Sequence, residues 1–580
     1  MRPFVLRLIA RARAIFSGPL GWILVGVLLL DVVGIGWGLP ASDGWDNDGV
    51  APRDFLVAVS ELFSRGPSFD SAYLHYAPVH TTLLALLTAP ISLTALAHAP
   101  SLAPSDVVHE MVKVPYMTAI AFVARAVAVV MSAGIVLAMA KIGEEIAGRR
   151  AGFLVAAVAG VNTVMTYYAH TSCLDVPALF WGSFALLALV RAVARQEPRR
   201  ARTFAVLAAL SLGSKDQEAA LFLLTAPLTL GVWMWLDPWV RAHRRTVLRE
   251  AAIACGIAVG MFLVVDGVIL NPTGFRARLH FLLGSASQDF AYYSKDTLGR
   301  LLVIRDSFAR FDRYYPLVFA PLALVGLLRL RWISDRSRRL AALVPLFAAI
   351  SFTLMFNCSA RRTEDRFVLP QMTLWSVYMG LGLEWALFAP GPRWRKAALS
   401  LAAAAAFSWA IFRCAAVDAN LVLDPRYDTE AWLEAHVADG DTVEVHGLNV
   451  YLPRLPSRTR DVRVGPEPVK GRNPIPGLIE EQDLYGNIAA RAPRWIVVSE
   501  GFAGRYLLDT SAAGNEGRVF AETQLENGAD VDATSFFRRL VRGELGYRMV
   551  HASTWTSTFW PEVDIHAAVS RPVWIFERTP

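Results

Sequence analysis

The chain has 580 residues, of which 54% are hydrophobic and 18% charged, and its mean hydropathy is +0.38. That balance excludes a soluble protein of this size and points to a polytopic membrane protein. The formal net charge of +7 does not indicate nucleic acid, because the arginines come in bursts between apolar runs, as they do in cytoplasmic loops. Cys173, Cys255, Cys358 and Cys414 have no metal-ligand spacing and read as free thiols.

Arg2, Arg7, Arg11 and Arg13 precede the first apolar run, which reads as a retained helix rather than a cleaved signal peptide. A spanning helix needs about 20 apolar residues. On that basis the spans are expected near 20–38, 117–140, 151–168, 176–194, 203–214, 217–236, 251–270, 315–330, 340–357, 366–388 and 397–416, eleven in all. The pair at 203–236 is the weakest, since the polar break at 211–218 is either a loop or a helix end.

Lys141, Arg149, Arg150 and the arginine-rich stretches at 191–202, 241–249, 329–339 and 393–396 belong inside, with the N-terminus. An even number of crossings must then separate the N-terminus from Lys141. Segments 20–38 and 117–140 supply two, so 76–98, although apolar enough to span, is expected outside. The whole stretch 50–115 is punctuated by Pro67, Pro78, Pro90, Pro100 and Pro104 and reads as interfacial or re-entrant helices. The rival reading is that 76–98 crosses and another span is miscounted. Under the first topology, five polar stretches share the non-cytoplasmic side: 43–48, 170–175, 215–218, 271–314 and 361–366.

From 418 onward apolar runs shorten and turn residues rise. Helices are expected at 430–437 and 535–542 and strands at 442–446, 495–499, 547–552 and 573–577. The fold class is therefore a polytopic helical membrane domain over 1–417, with about 11 spans and interfacial helices in the first outer loop, followed by a soluble non-cytoplasmic α/β domain over 418–580.

Asp43, Asp46 and Asp48 crowd the end of the first apolar segment, where carboxylates are costly unless they have work to do or water to sit in. Asp175 precedes Pro177 at a helix mouth and is either an ordinary N-cap or a second carboxylate that joins the first cluster, as a divalent-cation ligand or beside a general base. His170 is either structural or a hydrogen-bond donor to phosphate, and Lys215 either snorkels or binds an anion. The cations and aromatics of 271–295 suit an anionic headgroup or an ordinary interfacial helix. Arg361, Arg362 and Arg366 lie outside against the positive-inside tendency, and either bind phosphate bidentately or pair with Glu364 and Asp365.

Together these motifs resemble the GT-C superfamily of polyprenyl-phosphate-sugar-dependent glycosyltransferases, in particular the protein O-mannosyltransferase and aminoarabinose-transferase branch. Asp46 and Asp48 match the family's acidic first loop, Tyr168-Ala169-His170 through Asp175-Val176-Pro177 its second element, and Arg366-Phe367-Val368-Leu369-Pro370 its Arg-aromatic-x-x-Pro stretch. The family usually carries adjacent Asp-Glu where this chain has Asp46-Asn47-Asp48, so either aspartate can be the base, and Asp43 reads as a turn or cap residue. The layout is also similar to oligosaccharyltransferases, but the tail lacks their Trp-Trp-Asp motif. The resemblance covers about 20–420.

It implies an inverting glycosyltransferase that moves a sugar from a polyprenyl-phosphate donor to a hydroxyl of a lipid, glycan or protein acceptor. The implied catalytic residues are Asp46, Asp48 and Asp175; Lys215, Arg362, Arg366 and His170 would take the donor phosphate. A divalent cation, Mg or Mn, would sit on Asp48 and Asp175. The implied setting is a bacterial inner (plasma) membrane, with the site and the C-terminal domain periplasmic or extracellular and no nucleic-acid partner. The alternative is a transporter or flippase of a lipid-linked or small anionic substrate, which predicts charges deep in the spans and inverted repeats. Asp266 is the one marked intramembrane charge of that kind.

Overall fold

Long apolar runs have no water to satisfy their backbone, so they coil into helices that bond internally. The computed structural model describes residues 18–42, 45–46, 77–284, 291–469, 475, 477–507, 528–566 and 568–579. Among them, seven helices are long and apolar enough to cross a membrane, or nine if each of two bent pairs counts as one span.

Several expected spans take other forms, for local reasons. The first apolar helix, α1, covers only Pro19–Val32. Segment 151–168 is two helices, α2 (Arg149–Ala159) and α3 (Thr163–Ala169), bent by 69°. The Asn162 side chain caps the second helix by accepting from the Met165 N–H at 3.0 Å. Helix α4 (Asp175–Ala194) is a full-length apolar helix. Helix α5 (Arg200–Leu212) has 13 residues, too short to span alone, and the polar break after it is a helix end. Helix α6 (Asp365–Phe388) is buried along most of its length, which lets it keep Gln371, Thr373 and Ser376. The Val79–His98 helix runs unbroken through Pro90 and is also long and apolar enough to cross.

The chain divides into two compact units. The first comprises Met1–Ile35, Asp54–Thr88 and Val123–Ala415, the second Gly36–Arg53, Ala89–Phe122 and Ala416–Pro580. The loop that carries Asp46 is grouped with the C-terminal residues, from Ala416 onward, in the second unit.

The second unit holds a six-stranded sheet: β1 (Thr442–His446), β2 (Arg460–Gly465), β3 (Ile479–Gln482), β4 (Trp495–Ser499), β5 (Tyr547–Ser553) and β6 (Val573–Arg578). Their order is β3-β2-β1-β4-β6-β5. β1 to β4 pair in parallel, and β6 and β5 add antiparallel. Both faces are covered, as parallel strands require. Strand alternation sends Trp495 and Val497 to one core with Val443, Val445 and Leu433, and Ile496 and Val498 to another with Phe536, Phe537 and Tyr485.

Four strands fall where the sequence expects them, within a residue at their ends. β2 and β3 are additional, and their polar sequences conceal them. Arg463 on β2 stands in register with Glu480 on β3 and pairs with it while 1% exposed, so the charges are buried as a cross-strand pair. Helix 430–437 begins earlier, as α7 (Pro425–His436), capped by Asp424 accepting from the Arg426 N–H. Helix 535–542 extends to α8 (Gly528–Val541).

Alternation also turns Glu444 and His446 inward on β1. The His446 ring lies against Tyr485, Phe536 and Phe537. Burial, with the Arg491 charge, pushes its pKa down to about 3. Below about pH 6.5 an unfolded histidine binds a proton that the folded one refuses. Stability is therefore lost as pH falls from about 6.5 toward 3, by on the order of 5 kcal/mol in the limit. Glu444, pushed up by burial against Arg491, acts in the opposite sense. A pH series of near-ultraviolet circular dichroism melts on the full chain in detergent should show this loss, and His446→Leu should flatten it.

Candidate functional site

The site in the first unit begins with Asp175. Its N-cap is Leu174, so Asp175 is the first residue of α4 rather than the cap. The helix N-terminus still favours its charge, and its Oδ1 accepts from Lys215 Nζ at 2.7 Å. Lys215 stands at the polar break after α5, only 4% exposed. Glu218, buried one turn on, is the next carboxylate in electrostatic reach of both. Lys215 is thus neither snorkelling nor solvated; it is an inner ammonium with an inner carboxylate.

The second wall is the loop ahead of α6. A five-residue π-helical turn, Thr353–Asn357, ends the preceding helix; such turns recur at functional sites. Asn357 is fully buried there, and its side-chain amide donates to the carbonyls of Arg362 at 3.1 Å and Phe367 at 2.8 Å. Gln371 in turn donates to Asn357 Oδ1 at 2.6 Å. Arg361 takes a left-handed conformation, φ 55°, and donates to the Tyr293 carbonyl at 2.7 Å. Arg362 and Arg366 share Glu364, at 2.5 and 3.4 Å, and the Tyr292 hydroxyl donates to the same carboxylate at 2.9 Å. Burial pushes the Glu364 carboxyl up, and the Arg366 and Arg362 charges outweigh it, so it lies below the usual carboxylate range. Asp365 is claimed separately by Arg310 and Arg313.

The two walls meet at Phe367. Its ring takes the Arg362 guanidinium at 4.5 Å, the Arg366 guanidinium at 4.7 Å and the Lys215 ammonium at 5.5 Å from the centroid. The negative face of an aromatic ring stabilises such cations where water is excluded. Tyr168 lies in electrostatic reach of both Arg366 and Asp175. Lys215, Arg362, Arg366 and Asp175, all singled out from the sequence, therefore stand in one cluster. Phe367 as its centre and Asn357 as its brace emerge only from the fold, whereas Glu364 takes Arg362 and Arg366 in the internal pairing that the sequence offers as the alternative. The sequence signal for Asn357 and Gln371 was slight: lone amides inside apolar runs.

Three other expectations have different settings. His170 is fully buried, with Nδ1 2.7 Å from the Thr166 carbonyl oxygen and Nε2 2.6 Å from that of Val33. It braces the end of α3 against the end of α1. Asp266 is the C-cap of the Arg244–Val265 helix and pairs with Arg278 at 2.6 Å; it is a helix-end ion pair, not a charge in mid-span. Arg278 also lies 3.4 Å from Asp216. The aromatic residues near 292 pack on the arginine loop, as the contacts of Tyr292 and Tyr293 show.

Of the first acidic loop, Asp46 is described, in the second unit, while Asp43 and Asp48 lie outside the described residues. Among the described residues, no group of three His, Cys, Asp or Glu side chains is arranged to hold a metal ion. The donor set at Asp175 suits an ammonium, and Lys215 provides it. The expected cation on Asp48 and Asp175 thus depends on a residue outside the described set.

No family model and no curated protein matches the chain. Solved structures do. An oligosaccharyltransferase from Archaeoglobus fulgidus, crystallised with Zn and sulfate, is similar at 12% identity over 96% of this chain and 88% of that one, TM-score 0.49. ArnT from Cupriavidus metallidurans bound to undecaprenyl phosphate is similar at 12% identity over 96% and 98%, TM-score 0.48. The arabinofuranosyltransferase AftD from Mycobacteria is similar at 14% identity over 96% and 40%, TM-score 0.39.

Lys215→Met leaves the Asp175 carboxylate buried without its ammonium. It should lower stability by about 3–5 kcal/mol, and adding Asp175→Asn should recover part of the loss, as read by thermal unfolding in detergent.

Proposed function

We propose that the chain is a membrane glycosyltransferase that transfers a sugar, with inversion, from a polyprenyl-phosphate donor to an acceptor hydroxyl on the non-cytoplasmic side. One observation carries this reading: Lys215, Arg362 and Arg366, far apart in sequence, gather around the single ring of Phe367. Cations withdrawn from water in an apolar protein favour an anion, and arginine forks match phosphate oxygens bidentately.

The chemistry follows from the leaving group. An acceptor hydroxyl loses its proton to Asp46 or Asp48 and attacks the anomeric carbon from the face opposite the phosphate. The C–O bond to the phosphate breaks, and the departing polyprenyl phosphate carries away the electron pair. Lys215, Arg362 and Arg366 stabilise that developing charge in a site where water does not compete. Asp175 holds Lys215 in place, and His170 is assigned to bracing rather than to phosphate. An apolar groove of about 480 Å³, lined by Leu189, Phe204, Phe222, Trp233, Cys255 and Phe262 among others, suits the prenyl chain.

Reconstitution with a radiolabelled polyprenyl-phosphate sugar and a panel of hydroxyl acceptors tests the reading. Loss of the base should lower transfer by roughly 10²-fold or more in either Asp46→Asn or Asp48→Asn, which identifies the base, and Asp175→Asn should weaken it through Lys215. Undiminished transfer in all three variants overturns the assignment; donor that crosses the bilayer uncleaved indicates a transporter instead. The topology has its own check: a cysteine placed at Ser105 should react with an impermeant thiol reagent from the outside, and labelling from the cytoplasm would mean that the Val79–His98 helix crosses.

A further inference from the structure

The residue before Asp46 is Trp45, and it is 3% exposed. Its indole carries the Arg426 guanidinium 3.8 Å from the ring centroid. The Tyr427 ring lies at 5.2 Å and Trp37 meets it edge-on at 5.8 Å. Every member of this cage is fixed in turn. Arg426 grips Asp424 with two side-chain bonds of 2.8 and 2.7 Å. It also donates to the carbonyls of Ala568, at 2.8 Å, and Val450. Asp424 accepts from the Trp37 indole N–H at 3.1 Å. The Gly38 N–H donates to the Tyr427 hydroxyl at 2.9 Å. Gly38 sits at φ +71°, where a Cβ would lie 2.6 Å from the Trp45 ring, so only glycine lets the loop close on the indole.

We infer that this cage is the mount of Asp46: Arg426, Asp424 and Tyr427 hold Trp45 and thereby orient the adjacent carboxylate. Trp45 and Arg426 are positioning residues. The flat guanidinium on the flat indole fixes the ring's plane as well as its place. A base displaced by about 1 Å loses on the order of 10²-fold in rate. The inference rests on Asp46 being the base, and the experiment separates the two.

Transfer kinetics of the full-length reconstituted protein would be measured for Trp45→Leu, Trp45→Phe and Arg426→Lys, and for Trp45→Leu combined with Asp46→Asn. Trp45→Leu should lower kcat by roughly 10²-fold with KM for the polyprenyl-phosphate sugar unchanged, and Trp45→Phe should restore most of it. Arg426→Lys, which keeps the charge beside Asp424 but loses the flat stack, should fall between them and carries the test if Trp45→Leu does not fold. In the Asp46→Asn background, Trp45→Leu should cost nothing more, since it acts through the missing carboxylate. An equal loss in both backgrounds, or a change in KM alone, overturns the positioning role while leaving Asp46 as the base. Full activity of Asp46→Asn overturns the base assignment, and this inference with it.

Discussion

A positive charge that leaves water must find both a counter-ion and a polarisable surface, and the first unit is arranged around that requirement. Lys215 meets it with Asp175 at 2.7 Å and the face of Phe367 at 5.5 Å. Arg362 and Arg366 meet it with one shared carboxylate, Glu364, and the same ring. Because the three cations share the ring and the two arginines share Glu364, none of these groups can be moved alone. The π-helical turn, Asn357 and the left-handed Arg361 are the backbone means of bringing the arginines to the ring. Each is unfavourable in isolation and is maintained by the ion pairs that it makes possible.

The second unit solves the same problem in the same way. Arg426 lies 3% exposed, neutralised by Asp424 and stacked on Trp45. There the arrangement fastens the loop that carries Asp46. In both units a buried cation on an aromatic face connects parts of the chain that are distant in sequence: 215 with 367, and 45 with 426. In the proposed reaction the first supplies stabilisation of the leaving phosphate and the second the placement of the base.

Residue type alone was enough to single out Lys215, Arg362, Arg366 and Asp175, because charges in an apolar chain are few and each demands a reason. It was not enough to decide what each one does. Asp175 as an N-cap was one residue out of register with the true cap, Leu174. His170 looked as ready to bind phosphate as to brace a helix, and only the two carbonyl oxygens flanking its ring distinguish the roles. Asp266 read as a charge within a span because hydropathy continues past it, whereas Arg278 pairs with it at a helix end. Strands β2 and β3 escaped notice because their inward charges, Arg463 and Glu480, satisfy each other only once the two strands are paired.

The sequence by itself determined that this is a membrane protein with a C-terminal α/β segment, since hydropathy and strand periodicity are local properties that need no partner. It determined as well which charged residues were too costly to be incidental. Only the tertiary structure decided that three of those cations surround Phe367, that Asn357 holds them there, and that the loop bearing Asp46 is packed with the C-terminal residues. Those outcomes depend on contacts between segments hundreds of residues apart, such as Trp37 with Asp424. Their energy comes from desolvation shared among several groups at once, a quantity that no single stretch of sequence contains.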